Sequence, residues 1–250
     1  MDGYTVMRGL VLSSGLGLAA LSGCGLSGGG TDGEQGQSRW EINDGLCPGL
    51  SSSCGLEVPI AVGAEPRLDV VTDCCLASRF DVVAVGPGVV ENLRVDAEDE
   101  RIDMSVRVEG PGEVILELRE GDDVFDRVRF EAREAASMEC GVVRGSADWQ
   151  MGRLDVLTSS TETPDARRAQ LGCRLMDADG EPLLSVGAIR WSIVEGPSDA
   201  EIDTGSGNGR RQAAGARVYL RVLGGVGEPI QLEARYMDFV ERLEITILED

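Results

Sequence analysis

The sequence predicts an all-β protein built from two antiparallel β-sandwich domains. Three observations predict it. Apolar and polar residues alternate over most of the chain beyond Trp40, as in Ile102, Met104, Val106 and Val108 against Asp103, Ser105, Arg107 and Glu109. That period marks strands with one buried and one wet face. Turn-forming strings separate the apolar runs at spacings of about 8–12 residues. They include Gly86-Pro87-Gly88, Gly110-Pro111-Gly112, Gly121-Asp122-Asp123, Asp177-Ala178-Asp179-Gly180 and Gly196-Pro197. Long helical patterns are missing; Asp126 to Met138 comes nearest, and its Val128, Phe130 and Ala132 fit a strand better.

The N-terminus reads as an export signal. Leu10 to Gly23 is a run of 14 uncharged residues behind Arg8. It is too short to cross a hydrocarbon core, which takes about 20 residues, and it ends in small residues. Leu21-Ser22-Gly23-Cys24 resembles the bacterial lipobox, Leu-[Ala/Ser]-[Gly/Ala]-Cys, at every position. The resemblance implies that residues 1–23 are a lipoprotein signal peptide. It implies that Cys24 is lipidated on sulfur and acylated on its new amine, palmitate included, and so anchors the chain to a membrane. Gly25, where Asp would signal inner-membrane retention, implies the outer membrane. Asp2 offsets Arg8, whereas a start at Met7 gives a cleaner basic lead, so Met7 is expected to initiate the chain. Residues 24–39 read as the lipidated Cys and a flexible tether. Gly25 to Ser38 is rich in Gly, Ser, Thr and Gln and has only Leu26 to bury. Fourteen such residues span roughly 20 Å end to end.

Strands then follow in order. The first domain, expected over 40–135, holds about seven, from Leu56 through the 102–108 run, Val114-Leu116-Leu118 and Val128-Phe130-Ala132. Arg133 to Glu139 carries the join. The second domain, expected over 136–250, runs from Val142 to Leu248. Its inward rows are Leu171-Cys173-Leu175, Ile189-Trp191-Ile193, Ala216-Val218-Leu220-Val222, Ile230-Leu232-Ala234-Tyr236 and Leu243-Ile245-Ile247. Trp40 and Trp149 fall outside clear strands. An inward Cys173 followed 18 residues later by an inward Trp191 resembles the order of strands B and C in bacterial immunoglobulin-like domains. Tyr236 stands where that family's second inter-sheet Cys is expected.

Seven Cys less a lipidated Cys24 leaves six. Export places them in an oxidising compartment, where disulfides are the default. Cys140 and Cys173 share the second half and pair naturally, closing a loop worth about 3–4 kcal/mol on the chain-entropy model. Cys47, Cys54, Cys74 and Cys75 form two further bonds. Cys74 to Cys75 is disfavoured, because adjacent Cα atoms lie about 3.8 Å apart and disulfides prefer at least about 4.4 Å. The pairings 47–74 with 54–75 and 47–75 with 54–74 both remain. A four-thiolate metal site fits the spacing poorly, since structural zinc takes close Cys pairs.

Composition removes whole mechanisms. The chain has no His, its 23 basic residues are all Arg, and its formal charge is −21. Imidazole-based triads and pH switches, Lys Schiff bases and P-loop lysines are excluded, and the charge opposes binding to nucleic acid. Ile202-Asp203-Thr204-Gly205-Ser206 resembles the active-site string of aspartic proteases, but that chemistry needs a second such Asp and the chain has none. Aligned as an EF-hand loop on Gly180, the Asp177 string puts Leu175 and Val186 at ligand positions, so it reads as a hairpin turn. The acidic stretches 96–103 and 121–126 are the candidates for a shared calcium ion. Arg217 and Arg221 flank an outward Tyr219, and Arg127 and Arg129 share a face; such rows match cross-strand Glu or meet an acidic partner.

These residues together imply a lipid-anchored cell-envelope protein. Its expected role is non-catalytic binding or structural support, with another envelope protein or a surface polymer as partner. Neither a catalytic residue, a cofactor nor a bound metal is expected. A calcium-dependent adhesion module is the alternative, and an envelope enzyme a more distant one.

Overall fold

The computed structural model describes residues 30–42, 55–72, 77–98, 101–144, 148–151, 154–156, 167–203, 212–215, 217–222 and 228–247. The signal peptide, Cys24, Cys47, Cys54, Cys74 and Cys75 lie outside them.

The first half is built from β1 (Thr31–Asp32), β2 (Ser38–Ile42), β3 (Ile60–Ala61), β4 (Arg67–Thr72), β5 (Asp81–Val85), β6 (Val90–Glu98), β7 (Arg101–Val108), β8 (Gly112–Glu120) and β9 (Asp123–Arg133). The second is built from β10 (Ser137–Arg144), β11 (Asp148–Met151), β12 (Leu154–Val156), β13 (Arg167–Met176), β14 (Pro182–Leu183), β15 (Arg190–Glu195), β16 (Glu201–Asp203), β17 (Gln212–Ala214), β18 (Arg217–Val222), β19 (Pro229–Tyr236) and β20 (Phe239–Ile247). Four sheets result. In the first half, β1-β2-β4-β7-β6 faces β3-β9-β8-β5; in the second, β11-β10-β13-β18-β16, with β14 beside β13, faces β12-β20-β19-β15-β17.

Both halves follow immunoglobulin strand order. The A-B-E-D sheet is β2-β4-β7-β6 in one half and β10-β13-β18-β16 in the other. The C-F-G strands are β5-β8-β9 and β15-β19-β20. Each half adds a short strand before B that runs parallel to G, β3 on β9 and β12 on β20. The likeness expected for the second half therefore holds for the first as well. The second half departs in one place, because the chain visits β16 beside E before returning to β17 beside C.

The alternation explains the layers. Ile102, Met104, Val106 and Val108 are all buried while Arg101 and Asp103 are exposed. Trp191 is buried on β15 beside Ala234 of β19.

The folded region reaches further back than the tether expected over 24–39. Thr31 and Asp32 pair with Trp40 and Arg39, and β2 starts at Ser38. Trp40 belongs to a strand after all and is fully buried. The polar composition of residues 30–38 reflects a hairpin turn whose polar groups are bonded to the first sandwich, as described below.

Residues 59–65 knit the halves together. The Ala61 amide donates to the Leu184 carbonyl (2.8 Å), the Leu184 amide to Pro59 (2.9 Å) and the Glu65 amide to Val186 (2.8 Å). On its other side the same segment pairs with β9, and the Val62 amide donates to Arg133 (3.0 Å). Tyr236 of β19 donates its hydroxyl to the Val62 carbonyl at 2.5 Å. Gly63 holds φ at +85°, and a Cβ there would press within 3.2 Å of Met237, so the turn needs glycine. The buried apolar side chains of both halves form one continuous cluster.

Candidate functional site

Among the described residues the most heavily bonded carboxylate is Asp126, which is fully buried on β9. Its Oδ1 accepts from the Gln35 amide (2.9 Å) and from the Arg127 amide (2.8 Å). Its Oδ2 accepts from the Gln37 amide (2.9 Å) and from both the amide and the hydroxyl of Ser38 (2.8 Å each). The Trp40 indole N–H donates to Ser38 Oγ in turn (2.8 Å), extending the relay into the core. Above it, Glu34 accepts from Arg129 and Arg127, and these bonds, Arg129 first, pull its carboxyl down to about 2. The Arg127–Arg129 row thus meets a glutamate from the N-terminal turn.

A second cluster lies at the join. Asp177 Oδ1 accepts from the amides of Asp179 (3.0 Å) and Glu181 (2.8 Å), fixing the turn between β13 and β14. Its Oδ2 accepts from Arg133 of the first half at 2.6 Å. The Arg133 hydrogen bond, with the Glu181 amide after it, holds the Asp177 carboxyl below its usual range. The candidate EF-hand string is therefore a turn whose first carboxylate is committed to amides and a guanidinium.

The acidic stretch around 96–103 lines a shallow hollow of about 390 Å³ on the outer face of the first A-B-E-D sheet, together with Arg67, Asp69 and Arg101. Asp103 stands opposite Asp69 on one side and Asp96 on the other. Arg101 donates to both Asp103 (2.8 Å) and Asp69. Asp103 is held below its ordinary value by the hydrogen bond to Asp69 first and Arg101 second. Among the described residues, no group of three His, Cys, Asp or Glu is placed to hold a metal ion.

Cys140 and Cys173 are bonded, their Cα atoms 4.0 Å apart as direct partners on β10 and β13. The bond lies within one sheet, joining strands A and B. An immunoglobulin domain instead links B to F across the sandwich, and here Tyr236 of F turns toward Val62. Burial, with Glu134 adding to it, pushes the Tyr236 hydroxyl up to about 12.

Asp203 ends β16 and is buried opposite Tyr219 of β18; Thr204, Gly205 and Ser206 lie outside the described residues. On β18 the apolar Val218, Leu220 and Val222 are buried, which turns Arg217, Tyr219 and Arg221 onto the outer face. Gln170 stands opposite Tyr219, Gly172 opposite Arg217 and Arg168 opposite Arg221.

No family model and no curated protein matches this sequence. Among solved structures, domains 5–6 of the S-layer protein SbsC align over 78% of this chain and 94% of theirs, at 12% identity and a TM-score of 0.30. The Yersinia pseudotuberculosis adhesin InvE aligns over 76% of this chain and 56% of its own, at 10% identity and a TM-score of 0.29. Invasin, described as a bacterial integrin-binding protein, aligns over 76% of this chain and 38% of its own, at 11% identity and a TM-score of 0.30. The immunoglobulin assignment rests on the strand order of the chain itself.

Of the residues singled out in the sequence, Cys140 and Cys173 come together, and Arg127 with Arg129 finds its glutamate. The anchoring roles of Asp126 and Arg133 were not legible as such. Asp126 is one acid among several in an acidic turn region, and its donors from the N-terminal turn lie 88 to 91 residues away. The one hint was Asp126 itself, which interrupts the apolar rhythm beside Val128 at an inward position.

Proposed function

We propose that the protein is a lipid-anchored, non-catalytic module of the bacterial cell envelope. Cys24 carries the lipid, and the tandem sandwich is held out from the membrane, in an outer-membrane setting, to contact another envelope protein or a surface polymer. The observation that carries this reading is the way four well-bonded acidic side chains are spent. Asp126, Asp177, Glu34 and Glu233 are each engaged by amides or guanidinium groups that shape the fold. None of these four is free for general acid–base chemistry, and the Asp69–Asp103 couple in the hollow is itself engaged by Arg101. The Cys140–Cys173 bond supports residence in an oxidising compartment, and the Leu21-Ser22-Gly23-Cys24 string supplies the anchor.

Metabolic labelling with an alkyne fatty acid tests the reading. The wild-type chain is expected to take the label and to sediment with membranes. Cys24→Ser should abolish both. Labelling that survives Cys24→Ser, or a wild-type chain found free in the periplasm, overturns the anchor.

A further inference from the structure

The outermost strands of the four sheets are finished differently. A row of unpaired amides and carbonyls at a sheet edge invites pairing with another chain, and short, bulged or charged edge strands prevent it. Among the described residues, β1, β12, β16 and β17 are two or three residues long and β11 is four. β6 is nine residues long, but it carries a bulge between Glu91 and Arg94 and four charged residues. The first C-F-G sheet has its β9 edge covered, by β3 at Ala132 and Arg133 and by the Glu34 amide on the Arg127 carbonyl (2.8 Å). Its other edge is β5, which has none of these devices. It is five residues long, regular in its pairing with β8, and runs Val82-Val83-Ala84-Val85 after a single charge at Asp81.

The second half shows how such an edge is closed. There β15 stands as strand C, and its outer side is paired antiparallel with β17 through Arg190, Trp191 and Ser192. In the first half the chain passes from β5 to β6 of the opposite sheet with no strand between, and the sheet ends at β5. The surface beside this edge is apolar and balanced in charge. Val82 and Ala84 pack on the core, which turns half-buried Val83 and Val85 outward, and Val85 stands opposite half-buried Ile115 of β8. Arg119 is paired with Glu117 and Arg79 with Glu120, in a chain of formal charge −21.

We propose that β5 pairs antiparallel with β5 of a second copy of this chain, joining two C-F-G sheets into one. The strand is complementary to itself. Side chains directly opposite each other across a pair share a face, so a slip of one residue would turn core positions outward. The register about Val83 keeps every inward residue inward and uses all five positions. Val83 meets its own counterpart, Val82 meets Ala84, and Asp81 meets Val85. The two Asp81 positions then lie about 13 Å apart along the strands, beyond a screening length of about 8 Å in physiological salt. The outward valines of both copies run with the two Ile115 side chains into one apolar strip. Balanced charge beside the edge lets two acidic copies approach there. A basic strand from another protein is a poorer match, because this edge offers it no excess of acid. Two-fold pairing occupies both β5 edges and closes, so association stops at the dimer. The inference goes beyond the proposed function and does not rest on the lipid anchor.

The test uses the full-length chain purified in non-ionic detergent, its mass followed by density-matched sedimentation equilibrium. Wild type should dimerise at or below about 100 µM, as suits an interface under about 1,200 Å². The dimer should tighten as salt rises, because screening relieves the repulsion between two chains of charge −21. Val83→Lys and Val85→Lys place an edge-blocking charge on β5 and should each weaken the dimer about tenfold or more, at a thermal midpoint close to that of wild type. Val95→Lys, at an exposed position on the β6 edge, should leave association unchanged. Register is read by oxidative cross-linking. Val83→Cys should link to its own counterpart in a reductant-sensitive dimer above the wild-type background. Asp81→Cys and Val85→Cys should link only when the two variants are mixed. These cross-links decide the matter even where a Lys variant folds poorly. The proposal is overturned if wild type stays monomeric, if a folded Val83→Lys dimerises as tightly as wild type, or if Val83→Cys fails to link or, oxidised on intact cells, links to a different protein in place of its own copy. Fatty-acid labelling of Cys24 is read separately, so failure here leaves the anchor standing and failure there leaves the dimer standing.

Discussion

Replacing Asp126 with Ala should loosen the N-terminal hairpin and weaken the first sandwich. Four bonds from the turn are lost, from the amides of Gln35, Gln37 and Ser38 and from the Ser38 hydroxyl. The two Ser38 donors are buried, and each orphaned buried donor costs roughly 1–3 kcal/mol. The Gln35 and Gln37 amides are only partly buried, so water replaces their acceptor at roughly 0.5–1.5 kcal/mol each. Water entering the emptied site keeps the total toward the low end, about 3–5 kcal/mol. Asp126→Asn should cost less, because an amide oxygen at the Oδ2 position keeps three of the four donors. Urea unfolding followed by tryptophan fluorescence measures the loss, with Trp40 a near reporter through Ser38. Hydrogen exchange at residues 35, 37 and 38 measures it locally. A loss under about 1 kcal/mol, or unchanged protection of those amides, would refute the reasoning that Asp126 organises the turn.

Three further outcomes are expected. Glu34 has its folded pKa depressed from 4.5 to about 2, so its stabilising contribution is present above pH 4.5 and is lost as the pH falls through about 2; NMR titration should show its carboxyl ionised at pH 3, and protection of the 33–38 turn should fade only below that. Tyr236→Phe should cost about 1–3 kcal/mol by leaving the Val62 carbonyl unpaired. The raised Tyr236 pKa, from 10.0 to about 12, contributes stability that is present below pH 10 and lost as the pH rises through about 12, and the Phe variant should lack that alkaline decline in thermal midpoint. Cys140→Ala with Cys173→Ala opens a loop of sequence separation 33 and should cost about 3–4 kcal/mol; denaturation of the wild type with and without reductant checks the same figure.

How much of this was legible in the sequence follows from which interactions are local. Period two is a property of consecutive residues, so the rows 102–108, 114–118, 171–175 and 230–236 could be assigned inward faces that the structure bears out. Turn strings such as Asp177-Ala178-Asp179-Gly180 are equally local. The N-terminal hairpin was illegible because its stability is not its own. Residues 31–38 offer almost nothing to bury, and their amides find an acceptor on β9 only after the chain has returned. Ile60 and Ala61 were too few to show a period. The Cys140–Cys173 pairing was legible by arithmetic, but its place within one sheet was not. Register between β10 and β13 depends on backbone pairing across the intervening chain.

The 59–65 segment ties fold to function. A strand in that position runs parallel to G in each half, and in the first half it would leave an unpaired row of amides and carbonyls on its outer side. Exposed edges of that kind invite pairing with other chains. Here the row is met by Leu184 and Val186, so protection of the edge and formation of the joint are one event. Tandem domains move relative to each other by default unless their interface is large and apolar. This joint adds backbone bonds, the Tyr236–Val62 bond and the Arg133–Asp177 pair to a continuous apolar cluster. Edge protection, side-chain pairing and apolar packing therefore act at one place, and loss of any one of them should weaken the joint rather than either sandwich alone.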